Sequence, residues 1–121
     1  MDQQQLWVEP NGNIIIARVR GVGSEEVLRE CQRRVLMLVR DTGRNNVLYD
    51  ALELEATVDL AVMQQKMNAE VDDIKLRRAI LVPNTRIAYL ARLAFGDGEH
   101  RVFYNDIGAA LAWLGEAPAG D

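Results

Sequence analysis

The stretch HRVFYNDIGAALAWLGE, His100–Glu116, joins a short apolar run to an alanine-rich segment with almost no loop between them. Val102, Phe103 and Tyr104 suit a strand. Ile107, Leu111 and Leu114 recur at steps of four and three, the spacing of one helix face. Asn105 is the expected cap of this helix, with Asp106 facing the positive end of its dipole. A strand that runs straight into a helix is the closing βα turn of a small α/β domain.

Working back along the chain, the same unit recurs. RAILV is a continuously apolar strand stopped by Pro83, and Asn84 or Thr85 caps a helix carrying Ile87, Leu90 and Phe95. NVLYD is a strand ending at Asp50. ALELEA follows it as a loop or an extension of the strand, and Thr57 or Asp59 caps a helix with Leu60, Met63, Met67 and Val71 on one side. Before these lies GSEEVLRECQRRVLMLVRDTG. Ser24 is its N-cap, Glu25 and Glu26 suit the dipole, and Leu28, Cys31, Val35 and Leu38 form an apolar stripe that Gly43 ends. The chain opens with LWVEPNGNIIIARVRG, in which Asn11-Gly12 predicts a type I′ hairpin between strands at Leu6–Pro10 and Asn13–Arg20.

The predicted order is β-β-α-β-α-β-α-β-α. Short apolar strands alternating with helices imply a parallel sheet with right-handed crossovers, and the hairpin makes that sheet mixed. The expected fold is α/β, with about five strands and four helices. With 121 residues, 49% of them hydrophobic, the chain forms one domain with a packed core. That domain is expected over residues 1–116, with a flexible tail over 117–121.

Composition narrows the function classes. The net charge of -4 argues against nucleic-acid binding, which depends on neutralising phosphates. Twelve of the fourteen basic residues are arginine, spread along the chain rather than gathered in a patch. A single cysteine, Cys31, excludes an internal disulfide. No apolar run approaches the length of a membrane span, and Met1–Gln5 lacks a signal-peptide pattern. The expectation is a cytoplasmic protein without a cofactor.

Element order and the C-terminal third, RRAILVPNTRIAYLARLAF followed by HRVFYNDIGAALAWL, resemble STAS domains. These include the anti-sigma-factor antagonists and their SpoIIAA-like, STAS/SEC14-like bacterial relatives. The resemblance implies a regulatory or interaction module. Regulatory members carry a phosphorylatable serine in an Asp-Ser-Ser-Gly-like turn after the third strand. Here that place reads YDALELEATVDL, with Thr57 as its only hydroxyl, so the phosphoserine switch does not carry over. A phosphate on Thr57, at a helix N-terminus, would be electrostatically reasonable; the simpler role is an N-cap.

Other motifs weigh toward structure. Gly21-Val22-Gly23-Ser24 lacks the third glycine of a dinucleotide loop, and Glu25 and Glu26 occupy the place of an anion. Cys31 sits on an apolar stripe, and His100 begins the last strand, at the end away from where α/β ligands gather. Asp50, Glu53, Glu55 and Asp59 crowd one loop, which keeps a small enzyme as an alternative. Met63 and Met67 share a helix face, and the SEC14 association keeps a carrier of a lipid-like ligand as another. The carrier predicts an enclosed apolar cavity on the order of 300 Å³ or more. Trp7 on an edge strand invites cover by a homodimer. The leading expectation is a non-catalytic module that binds a protein partner or a small apolar ligand at the C-terminal ends of the parallel strands, through Asp50, Thr57, Asp59, Asn84, Thr85 and Arg86.

Overall fold

The computed structural model describes residues 5–71, 73–96 and 98–116, so the tail expected over 117–121 lies outside the described residues. Strands β1 (Leu6–Asn11) and β2 (Ile14–Val19) form the hairpin. They pair antiparallel from Leu6↔Val19 to Asn11↔Ile14. Asn11 is therefore the last strand residue, and the loop is Gly12-Asn13, one position later than the sequence suggested. Of the two, only Gly12 has a positive φ, +60°. That is the type II′ pattern, which needs glycine at the first central position alone.

A two-residue strand β3 (Gly21–Val22) leads into α1 (Glu25–Thr42). Ser24 Oγ accepts from Val27 N at 3.3 Å, and Gly43, at φ +74°, ends the helix by donating its N–H to Val39 O at 2.9 Å. β4 (Asn46–Asp50) follows. The acidic stretch then turns and forms β5 (Leu54–Glu55), which pairs parallel with β3 in a second, two-stranded sheet. Such a pairing between residues some thirty positions apart leaves no local pattern. α2 (Val58–Ala69), β6 (Arg77–Val82), α3 (Thr85–Phe95), β7 (His100–Tyr104) and α4 (Ile107–Leu114) complete the order.

The main sheet runs β1-β2-β4-β6-β7, antiparallel between β1 and β2 and parallel elsewhere. This is the mixed five-stranded, four-helix architecture expected. Each crossover moves one strand further in the same direction. Right-handed crossovers in one direction place every connecting helix on one face. α1 accordingly packs Cys31 and Val35 on Ile15, Ala17 and Val47, while α2 and α3 cover Ile80 and Val82. α4 follows the last strand and has no crossover to make. It folds onto the other face and buries Ala110 and Leu114 against Leu48, Ala79, Leu81 and Phe103.

The turn into α4 corrects the expected cap. Asp106, not Asn105, is the N-cap: its Oδ1 accepts from Ala109 N at 3.0 Å. Asn105 instead takes φ +50°, a left-handed conformation that asparagine tolerates, and so reverses the chain between β7 and α4.

Candidate functional site

Four helices start at the C-terminal rim of the sheet or beside it. The rim is closed by short backbone bonds: Ala51 N donates to Leu81 O at 3.0 Å, and Asn105 N to Val82 O at 2.9 Å. The expected binding residues all lie along it, in two groups on opposite sides of the sheet.

Asp50 belongs to the side that α4 covers, since it shares a face with Leu48. Its Oδ1 accepts from Leu52 N at 3.1 Å, and Oδ2 lies 3.8 Å from Arg18 Nε. Arg18 Nη2 also donates to Glu53 Oε2 at 2.6 Å, and Arg20 approaches Glu53 at 3.9 Å. Two carboxylates of the acidic loop are thus engaged by arginines from β2 and the residue after it.

The second group lies at the starts of α2 and α3, on the three-helix side. Thr57 Oγ1 accepts from Leu60 N at 3.2 Å, and Asn84 Oδ1 from Ile87 N at 2.9 Å. Thr57 and Asn84 are therefore the caps, which settles both alternatives. Asp59 lies in the first turn of α2, and Thr85 opens α3; both are exposed. Arg86 Nη2 donates to Ala56 O at 2.7 Å, so the entry to α2 and the first turn of α3 form one surface.

Large apolar side chains stand exposed at these same helix entries. Val22 is 69% exposed before α1, Val58 52% at the first residue of α2, and Tyr104 and Ile107 48% and 54% around the start of α4. Local periodicity found the buried stripes of α1, α2 and α3, but it grouped Ile107 and Leu111 with Leu114 in α4. There the structure leaves Ile107 and Leu111 exposed and buries Ala110 with Leu114, because α4 turns its small residues to the sheet.

Beneath the rim, between the sheet and α1, α2 and α3, lies an apolar cavity of about 90 Å³, lined among others by Cys31, Tyr49, Leu54, Leu60 and Phe95. Burial pushes the Cys31 thiol up to about 12. It pushes the Tyr49 hydroxyl up to about 12 as well, against the opposing pull of nearby Arg78. Both groups stay neutral at ordinary pH, and Cys31 is a core hydrophobe. Met67 is 1% exposed and packs in the interior. His100 begins β7 at the opposite pole, where its Nδ1 lies 3.0 Å from Gly98 O. Among the described residues no group of three His, Cys, Asp or Glu side chains is placed to hold a metal ion, and no helix is long and apolar enough to cross a membrane.

Trp7 does lie on the edge strand β1. Its ring is flanked within the chain by the guanidinium groups of Arg18 and Arg20, at 5.5 and 5.2 Å from the ring centroid.

The chain shares its fold with two solved structures. One is a protein of the DUF3478 family with a SpoIIAA-like fold from Shewanella loihica PV-4. It is 21% identical, has a TM-score of 0.62, and the match covers 94% of this chain and 98% of that one. The other is the anti-sigma factor antagonist SpoIIAA in its unphosphorylated form, at 9% identity and a TM-score of 0.62, covering 93% and 99%. No family model matches the sequence, and no curated protein matches it.

Proposed function

We propose, from the SpoIIAA-like fold as premise, that this protein is a non-catalytic STAS-type interaction module that docks a protein partner on the C-terminal rim of its sheet. The observation that carries this reading is the coincidence of exposed Val22, Val58, Tyr104 and Ile107 with the helix-entry turns. Exposed apolar residues rimmed by polar groups mark protein contacts; here Val22 and Val58 stand at the entries of α1 and α2, and Tyr104 and Ile107 at the entry of α4. Thr57, Asp59, Asn84, Thr85 and Arg86 supply the polar ring on one side, and Asp50 with Arg18 on the other.

Three observations weigh against the alternatives. The carboxylates Asp50 and Glu53 are held by Arg18, whereas general acid–base work needs a carboxyl group poised in a cleft. The strand order also never reverses, so the sheet has no switch point at which neighbouring helices part to open a ligand crevice. The apolar cavity beneath the rim, at about 90 Å³, is too small to hold a lipid-like cargo there. Regulation by phosphoserine has no residue to act on between Asp50 and Leu60; Thr57 there serves as a cap.

The test compares affinity capture from an extract of the source cells by the wild-type chain, by a Val22→Asp/Val58→Asp/Ile107→Asp variant and by Arg86→Ala. The triple variant is expected to lose at least about tenfold of a captured partner, the size of effect typical of removing central interface residues. Arg86→Ala is expected to weaken the same partner. A partner retained in full by both variants places the interface elsewhere.

A further inference from the structure

At the opposite pole, where β6 and β7 begin and α2 and α3 finish, the chain forms a second cavity of about 410 Å³. Val71, Ile74 and Phe95 contribute to its apolar wall, and Lys75 and Glu99 stand among its polar groups. Arg78 also lines it. At 8% exposure, Arg78 is the one charged residue buried among the described residues. Alternation along β6 puts it on the same face as Ile80 and Val82, under α2 and α3. Its guanidinium lies 5.1 Å from the Phe95 ring centroid. The space beside Gly98 admits it: a Cβ there would come within 3.1 Å of Nη1.

The neighbouring arginine shows what Arg78 lacks. Arg77 pairs with Glu99, donates to Trp113 O and approaches Glu116. Arg78 Nε, like Arg77 Nε, is buried without an acceptor; the Arg78 guanidinium has the neutral Tyr49 hydroxyl beside it, but among the described residues no carboxylate forms an ion pair with it. Burying an unpaired cation costs several kcal/mol. The face of Phe95 and the Tyr49 hydroxyl offset only part of that, since neither carries a full negative charge.

We propose that this cavity binds a small monocarboxylate with an apolar body. The carboxylate pairs with Arg78, and the body lies against Val71, Ile74 and Phe95. The cavity falls in the range of about 300–1,000 Å³ usual for small-ligand sites. A guanidinium fork matches a carboxylate in shape. A dianion is disfavoured, because the negative ends of α2 and α3 and the Glu99 carboxylate face this pole. The site is separate from the rim and stands whether or not the rim binds a protein.

The test is titration of the full chain with hexanoate, followed by amide NMR. Hexan-1-ol serves as the neutral match, and inorganic phosphate as an anion without a body. Hexanoate is expected to give saturable shifts confined to residues 68–78 and 94–99, with hexan-1-ol at least about tenfold weaker and phosphate weaker still. Arg78→Met keeps the volume and removes the charge; it should cost hexanoate at least about tenfold in affinity, while Asn84→Ala at the rim leaves it unchanged. A wild-type spectrum that ignores hexanoate overturns the assignment without any variant having to fold. Equal binding of hexan-1-ol, tighter binding of phosphate, or undiminished binding by Arg78→Met overturns it too.

Discussion

The Arg77 guanidinium lies 3.9 Å from the centroid of the Trp113 ring and donates through Nη2 to the carbonyl oxygen of the same residue at 2.8 Å. β6 thus grips the last turn of α4 at two points. Among the described residues α4 is the one helix on its face of the sheet, so this clamp and the Asn46 Nδ2 bond to Leu114 O, 3.2 Å, hold the end of that cover in place.

Breaking the clamp should loosen α4 first. Arg77→Ala and Trp113→Ala are each expected to cost about 2–3 kcal/mol in urea unfolding. Their double-mutant cycle should show a coupling of about 1–2 kcal/mol, the size of a partly buried cation–π pair with a hydrogen bond. Coupling within about 0.3 kcal/mol of zero would mean that the two residues act independently.

Gly23 marks a close approach. A Cβ there would lie 2.5 Å from Leu60 Cδ2 and 3.3 Å from Leu54 Cδ1. Leu60 is 8% exposed and has little room to withdraw. Gly23→Ala is therefore expected to destabilise by about 1–3 kcal/mol through overpacking. Leu60→Ala alone should also destabilise, and the double variant should lose less than the sum. A Gly23→Ala protein with an unchanged urea midpoint would show that the contact relaxes freely.

Cys31 should make stability fall at alkaline pH. Burial favours its neutral thiol, so its pKa rises from 9.0 to about 12 on folding. Below pH 9 both states hold the proton and the group contributes nothing. As pH rises from 9 toward 12 the unfolded thiol ionises while the folded one does not. The fold then loses up to about 1.4 kcal/mol per pH unit over that window. Tyr49, raised from 10.0 to about 12, adds a smaller loss in its upper part. Cys31→Ala should flatten the decline between pH 9 and 10, as read by urea midpoints. At pH 8 a thiol reagent should label the wild-type protein no faster than it unfolds. An unaltered alkaline slope in the variant, or labelling faster than unfolding, would contradict the burial account.

Most of the architecture was legible in short windows. Ser24, Thr57 and Asn84 are caps because each is a small polar residue just ahead of an apolar helical stripe, and a cap is a contact across three residues. The misjudged positions are equally local but turn on a single dihedral angle: Gly12 rather than Asn11 opens the hairpin loop, and Asn105 adopts a left-handed φ while Asp106 caps. The six rim residues were found by position, at strand ends and helix starts. Their division into two groups was not, because the face Asp50 takes depends on the pairing of β4 with β2 and β6.

Arg78 carries only a faint signal in the sequence. An arginine two places before Ile80 and four before Val82, on a strand apolar everywhere after it, shares their buried side by alternation alone. Nothing local says that Phe95 would stack on it or that its Nε would lack an acceptor, since those partners come from the end of another helix.

By itself the sequence determined the elements, their order and most of their caps, because these are settled by hydrogen bonds and side-chain periods within a few residues. Only the tertiary structure decided that β3 pairs with β5, that α4 closes the second face, which apolar side chains stay exposed at the rim, and that a guanidinium is buried at the far pole. Each of those depends on where distant segments meet. The free energy of such meetings comes from packing and charge between chain segments that carry no mark of one another in their own residues.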